Sequence, residues 1–407
     1  MNPSMVDVKR SLLTSSLAML FASITNLAHA DTLKEVFEQA WANSIQGRTV
    51  QAKQAEVAAS RTVAGAIFPG SPQIGISHRN DLLIDNRGAQ ENEIGVSVPL
   101  WLPGQKAARQ SVAEAEGKES QLSIEAQRLA VAGDLRNALW TLYLAKSEAE
   151  ISAERIATAE KLESDISRRL NAGDVARTDL LLAKQETASA RAAVAEAKSR
   201  IVQIMQRYKI LTGSEKLPDN PRETVKVAVE GTLHPRVAAA QAASELAHSG
   251  LNLAQASRRD APTIGMLYRN ERDASSDNSR NTIGLAVTIP LSSNVRNAPL
   301  IAKANTSLIE AEAQDQRVLA EIEAGERAAE TQLESAQIGF ELSVEREQAA
   351  SERLALIRRS FELGESPLVE LIRAQTQATE ARIDQVRSDA LLSASQANLN
   401  QARGLTP

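Results

Sequence analysis

The sequence predicts a mainly α-helical chain with a small β part, built as a duplicated unit of helix, strand, strand, very long helix, Gly-containing turn and helix. Three observations predict it. Of 407 residues, 43% are apolar but only 3% are aromatic. The apolar share is therefore mostly Ala, Leu, Val and Ile, which suits thin layers of closely packed helices better than a rounded core filled with rings. Two windows break the helical texture with period-2 alternation. The second half of the chain echoes the first at a nearly constant shift of 190 or 191 residues.

The N-terminus reads as a leader. Lys9 and Arg10 precede an apolar run over Ser11–Ile24, followed by Ala28-His29-Ala30. A basic start, an apolar run and an A-x-A site mark a secretory signal peptide over residues 1–30, with the mature chain beginning at Asp31. The run is shorter than the ~20 residues of a spanning helix. The chain has no Cys. That excludes disulfides, thiolate metal sites, cysteine catalysis and a lipid anchor on a terminal Cys. A net charge of −5 argues against general nucleic-acid binding.

The first strand window covers about 72–82 and 93–102, the second about 262–271 and 282–291. Apolar residues take alternate positions: Ile74 and Ile76; Ile94, Val96, Val98 and Leu100; Ile264 and Met266; Ile283, Leu285, Val287 and Ile289. Gly95, Ser97, Gly284, Ala286 and Thr288 fall between them. Strands of ~9–11 residues fit a tilted membrane strand, and a soluble hairpin with one wet face fits the alternation equally. Four strands cannot close a barrel, for which about eight is the practical minimum. An open sheet in lipid would leave unsatisfied edges. Either the sheet is soluble, or several chains each give four strands to one barrel; three chains would give twelve.

The repeat divides the mature chain into residues 31–217 and 218–407. Gln73-Ile74-Gly75 matches Thr263-Ile264-Gly265, and RLNAGDVARTDLLLAKQ (169–185) matches SFELGESPLVELIRAQT (360–376). The helices are predicted over 32–67, 105–170 and 177–211, then 235–258, 298–361 and 367–402. A helix of ~66 residues is about 100 Å long, too long for the inside of a globular domain. Leu135, Leu142, Ala149 and Ile156 recur every seven residues, with Ala138, Ala145, Ser152, Ala159 and Ile166 at companion positions, which supports left-handed coiling. Gly133 and Gly325, in corresponding parts of the long helices, read either as marks of a bend or crowded contact or as tolerated surface glycines. The acid- and Arg-rich stretch Glu148–Glu163 reads as solvated surface or tube lining.

Together, the leader, the duplicated unit, the four amphipathic strands, the turns NAGDVARTDLLLAKQ and ELGESPLVELIRAQT, and the strand exit VSVPLWLPGQ (96–105) resemble the TolC family of outer-membrane efflux proteins. Length and texture are most similar to its CzcC-like heavy-metal branch. The resemblance implies a homotrimer whose twelve-stranded β-barrel sits in outer-membrane lipid and continues into a periplasmic α-helical barrel. It implies an exit duct for a tripartite system, with a periplasmic adaptor (membrane fusion) protein and an inner-membrane RND-type pump as partners. It implies no cofactor, no metal site and no catalysis. Heavy-metal cations are the expected cargo; drug efflux or type I secretion is the alternative, and a periplasmic coiled-coil scaffold is the rival of another class.

The two turns are expected at the tip where an adaptor docks: Gly173, Asp174, Thr178, Asp179 and Leu180, with Gly364, Glu365, Pro367, Glu370 and Leu371. Glycine there ends a helix in the left-handed conformation, and an acid in the next first turn favours its dipole. Repeated around a trimer axis, these acids could also form a cation-favouring ring. Phe68, Trp101 and Tyr268 lie near strand ends, where aromatics sit at a membrane interface; Trp101 could instead pack at the strand–helix junction. His78-Arg79-Asn80 carries no catalytic reading, because Tyr268 replaces the histidine in the second copy. His234 and His248 lack ligand spacing.

Overall fold

A computed structural model describes residues 32–83, 85–227, 231–291 and 294–407; the leader assigned to residues 1–30 lies outside them. Its elements are α1 (Leu33–Asn43), α2 (Ile45–Gly65), β1 (Gln73–Asn80), β2 (Gln90–Pro99), α3 (Gln105–Ala172), α4 (Arg177–Thr212), α5 (Pro235–Ala256), β3 (Thr263–Arg272), β4 (Arg280–Thr288), α6 (Asn294–Glu362) and α7 (Leu368–Ala402). The strands form one antiparallel sheet in the order β1-β2-β3-β4.

The first helix departs from the sequence reading. The single helix expected over 32–67 is broken at Ser44, which has extended backbone (φ −67°, ψ 153°). The Ser44 hydroxyl accepts from the Gly47 N–H at 2.9 Å and so caps α2. Asn43 donates to the carbonyls of Ile210 and Leu211 at the end of α4. The glycine is required: a Cβ at Gly47 would lie 2.0 Å from the Trp41 carbonyl oxygen. The break frees α1 to turn its face of Val36, Phe37, Ala40 and Trp41 onto Val131, Ala132, Leu135, Leu139 and Leu142 of α3 and onto Tyr208 of α4.

The long helices are 68 and 69 residues, so each spans about 100 Å at 1.5 Å per residue. Along its sheet-side half α3 packs on α2 and α5, and α6 packs on α5; along the other half α3 packs on α4 and α7, and α6 on α7. Leu135, Leu142, Ala145, Ala159 and Ile166 of the expected seven-residue stripe are buried, whereas Ala149 and Ile156 are half-buried. α6 begins four residues earlier than expected and carries Pro299 in its second turn. Gly133 faces a crowded contact, since a Cβ there would lie 3.1 Å from Gln401 Nε2, while nothing lies within 4 Å of one at Gly325.

A buried polar knot ties the two halves at mid-length. Arg136 of α3 and Glu223, in the segment after α4, are 1% and 7% exposed. They form a bidentate ion pair with both bonds at 2.7 Å. Arg136 also donates to the Gln401 side chain. Asn400 donates to Glu223 and to the Thr224 carbonyl, and accepts from the Lys226 N–H. Near it His234 caps α5, its Nδ1 accepting from the Arg236 N–H at 3.1 Å. Burial pushes this imidazole below its ordinary pKa, which keeps Nδ1 free to accept.

Within Glu148–Glu163, Glu150, Glu154 and Glu160 are exposed, as the face reading expects, but Glu148 departs from it. Glu148 is mostly buried and takes Arg200 of α4 at 3.0 Å and Arg387 of α7 at 2.7 Å. Glu154 takes Arg382 of α7 at 2.5 Å. These carboxylates join neighbouring helices rather than only facing solvent, because α7 lies along α3, a contact that sequence spacing cannot show.

Candidate functional site

The sheet separates two chemistries onto two faces. Its register places Ile74, Val96, Met266 and Leu285 in one row, Ile76, Ile94, Tyr268 and Ile283 in the next, and Val98, Ile264 and Val287 in a third. Among the described residues nothing covers this face: Ile76 is 78% exposed and Leu285 79%. Towards the β1–β2 loop it ends on the polar row His78, Asn92, Asn270 and Asn281. His78 and Asn92 hydrogen-bond at 2.7 Å. The other face is small or polar apart from Leu267, with Gly75, Gly95, Leu267 and Gly284 in one row and Gln73, Ser97, Gly265 and Ala286 in another.

Two strand-face residues lie outside the strands. Leu100 follows β2 and Ile289 follows β4. Pro262 stands opposite Leu100 and Pro290 follows Ile289, and neither proline has an N–H to give the ladder. Leu100 still donates to the Pro262 carbonyl at 2.7 Å. Both outer strands, β1 and β4, are edges of the sheet.

The aromatics divide. The Trp101 indole Nε1 donates to the Ala66 carbonyl at 3.2 Å, and with Pro69, Gln105 and Leu253 the ring lines a cleft where sheet meets helices. This is the junction packing left open from sequence. Phe68 is half-buried in the link from α2 to β1. Tyr268 lies within the exposed row of β3, its hydroxyl donating to Asn281 Oδ1 at 3.0 Å.

The two Gly turns come together at the far end of the long helices. Gly173 and Gly364 have φ of 84° and 79°. Behind them the Asp174 N–H bonds to the Arg169 carbonyl and the Glu365 N–H to the Ser360 carbonyl, each at 2.9 Å. Both are the six-residue closure of a Schellman cap. Ile166, Ala183, Phe361, Leu368 and Leu371 make the core that joins the two hairpins, and the Arg169 guanidinium stacks over the Phe361 ring at 5.2 Å.

The predicted tip residues take different stations here. Gly173, Asp174, Thr178, Gly364, Glu365 and Pro367 are exposed, and Leu180 is half-buried. Asp179 accepts from the Ala176 N–H at 3.2 Å, capping α4. Glu370 pairs with Arg353 at 2.7 Å. Leu371 is only 2% exposed, so it packs the hairpins together and presents nothing at the surface. Asp174 and Glu365 are the two acids left at the apex. Sequence reasoning missed Arg353 and Phe361, whose partners are reached only through tertiary packing.

Among the described residues no helix is long and apolar enough to cross a membrane, and no three His, Asp or Glu side chains are grouped to hold a metal ion.

Comparison with known proteins agrees with this geometry. Residues 37–214 match the outer membrane efflux protein family. No curated protein sequence is a significant match. The outer membrane protein VceC from Vibrio cholerae superposes with a TM-score of 0.74 at 18% identity, over 92% of this chain and 96% of that one. The CmeC outer membrane channel of Campylobacter jejuni superposes at 0.73 and 15% identity, over 99% and 94%. CusC, a transmembrane channel, superposes at 0.70 and 15% identity, over 92% of each chain. At such identities the likeness speaks for the fold. Residues 37–214 thus carry the sequence pattern of the outer membrane efflux protein family, and the chain as a whole carries the fold of the VceC, CmeC and CusC channels.

Proposed function

We propose that this protein is the outer-membrane exit duct of a tripartite efflux system. One observation carries the reading: an uncovered apolar face on a four-stranded sheet with two open edges, set on helices of about 100 Å. An apolar face this continuous is stable in lipid, and the edges are satisfied when β4 of one protomer pairs with β1 of the next. Three protomers then close a twelve-stranded barrel, above the practical minimum, and their helices continue it as a periplasmic tube. Transport through such a duct is passive. The matched family and the channel folds of VceC, CmeC and CusC support this reading. Fractionation tests it: heat-modifiable trimers in the outer-membrane fraction are expected, and complete extraction by carbonate would eliminate it in favour of a periplasmic scaffold.

The apex formed by the two turns is the proposed docking point for a periplasmic adaptor that links the duct to an RND-type pump. Gly173 and Gly364 sit at φ values costly for other residues. Gly173→Val and Gly364→Val are each expected to distort the apex and abolish efflux while trimers still form. Wild-type resistance in both variants would refute the assignment.

For cargo we propose heavy-metal cations, on the CzcC-like texture of the sequence. A deletion strain, with and without the restored gene, should become selectively sensitive to Co, Zn, Cd, Ni, Cu or Ag ions. Complemented sensitivity to hydrophobic drugs alone would keep the duct and reject the metal cargo.

A further inference from the structure

The small-residue face of the sheet changes character at the end away from the helices. There the register lines up Ser77, Glu93, Arg269 and Thr282 in one row and Arg79, Glu91, Glu271 and Arg280 in the next. Three guanidinium groups meet three carboxylates. Arg269 is the centre: its Nη2 lies 2.8 Å from Glu93 Oε2 and its Nε 3.2 Å from Glu91 Oε1. Arg79 reaches the same Glu91 oxygen at 3.7 Å. Arg280 holds Glu271 at 2.9 Å. Glu91 and Glu271 stand directly opposite each other, an unfavourable like-charge pairing that the flanking arginines offset.

This face can only be the inside of a barrel whose apolar face meets lipid, so the inference rests on the duct reading. Below the charged rows the same face is mainly glycine, serine and alanine. Its one large apolar side chain, Leu267, lies against Gly284, where a Cβ would come within 3.1 Å of Leu267 Cδ1. The bore is therefore wide and featureless except at its outer end. We propose that the two rows form a charge-compensated belt around the outer mouth of the channel, and that Arg269, by neutralising Glu91 and Glu93, determines which sign of ion the mouth favours.

The belt is balanced, so removing one charge of either sign unbalances it, and a trimer triples the effect around the axis. Rings of uncompensated carboxylates favour cations and rings of cationic groups favour anions. Purified trimers are placed in planar bilayers under a KCl gradient, and reversal potentials give the K⁺/Cl⁻ permeability ratio. A local potential of about one kT changes ion concentration about threefold. At about 0.1 M salt, R269Q is expected to raise the ratio at least about threefold over wild type, and E93Q to lower it. R269K, which keeps the charge, should restore the wild-type ratio. All shifts should shrink near 1 M salt, where the Debye length falls to about 3 Å.

A purely structural pair would give R269Q trimers of lower heat stability with unchanged selectivity. That outcome, or R269Q and E93Q shifting in the same direction, would overturn the belt while leaving the channel intact. A wild-type protein that forms no conducting pore would overturn the duct reading and the belt with it.

Discussion

A lysine at Val96 is expected to prevent stable insertion, whereas a lysine at the adjacent Ser97 is tolerated. Val96 lies in the middle of the apolar face, between Ile74 and Met266, and successive strand residues point to opposite faces. In the proposed duct this face meets lipid, where a Lys at mid-membrane costs about 2–4 kcal/mol at each of the three protomers. Ser97 opens on the small-residue face, where a flexible cation can stand in water. The measurement is the yield and heat stability of membrane-extracted trimers, with Val287→Lys as the equivalent change in the second copy. Equal losses for V96K and S97K would show that the faces are not divided between lipid and water.

The second large effect concerns the knot at mid-length. Arg136→Met is expected to destabilise the chain by about 3–5 kcal/mol, because it leaves the Glu223 carboxylate buried without its partner. Arg136→Met combined with Glu223→Gln should recover much of the loss, since the charge is then gone as well as its mate. The readout is the apparent unfolding temperature followed by circular dichroism. A loss under about 1 kcal/mol for the single variant would mean that water reaches the pair. The consequence is mechanical as well as energetic: Glu223 lies in the segment joining the two copies, and Arg136, Asn400 and Gln401 hold that segment across α3 and the end of α7.

Much of this protein was legible in sequence because its information is local. The positions of the strands, the two Gly turns and the long helices follow from period-2 alternation, left-handed glycine and the absence of breakers. Element ends were less certain. Ser44 looks like an ordinary helix residue until Asn43 is seen tied to the end of α4 and Trp41 to lie over Gly47. Leu100 and Ile289 sat on the apolar face by parity, yet Pro262 opposite the first and Pro290 after the second close the ladder.

What only the tertiary structure decided is which distant residues share a surface. Glu91 and Glu271, or Arg136 and Glu223, carry no mutual spacing signal, because chain separation and spatial separation are unrelated once strands and helices return on themselves. Leu371 read as a tip residue and is the floor of the tip core. The sequence by itself determined the elements, their duplication and the apolar alternation, since each is fixed by interactions within a few residues. The fold decided that the strands share one uncovered apolar face, that the turns meet at one apex, and that opposite charges gather at the sheet's far end. Pairing register and helix neighbours, set by long-range hydrogen bonding and packing, put those residues together.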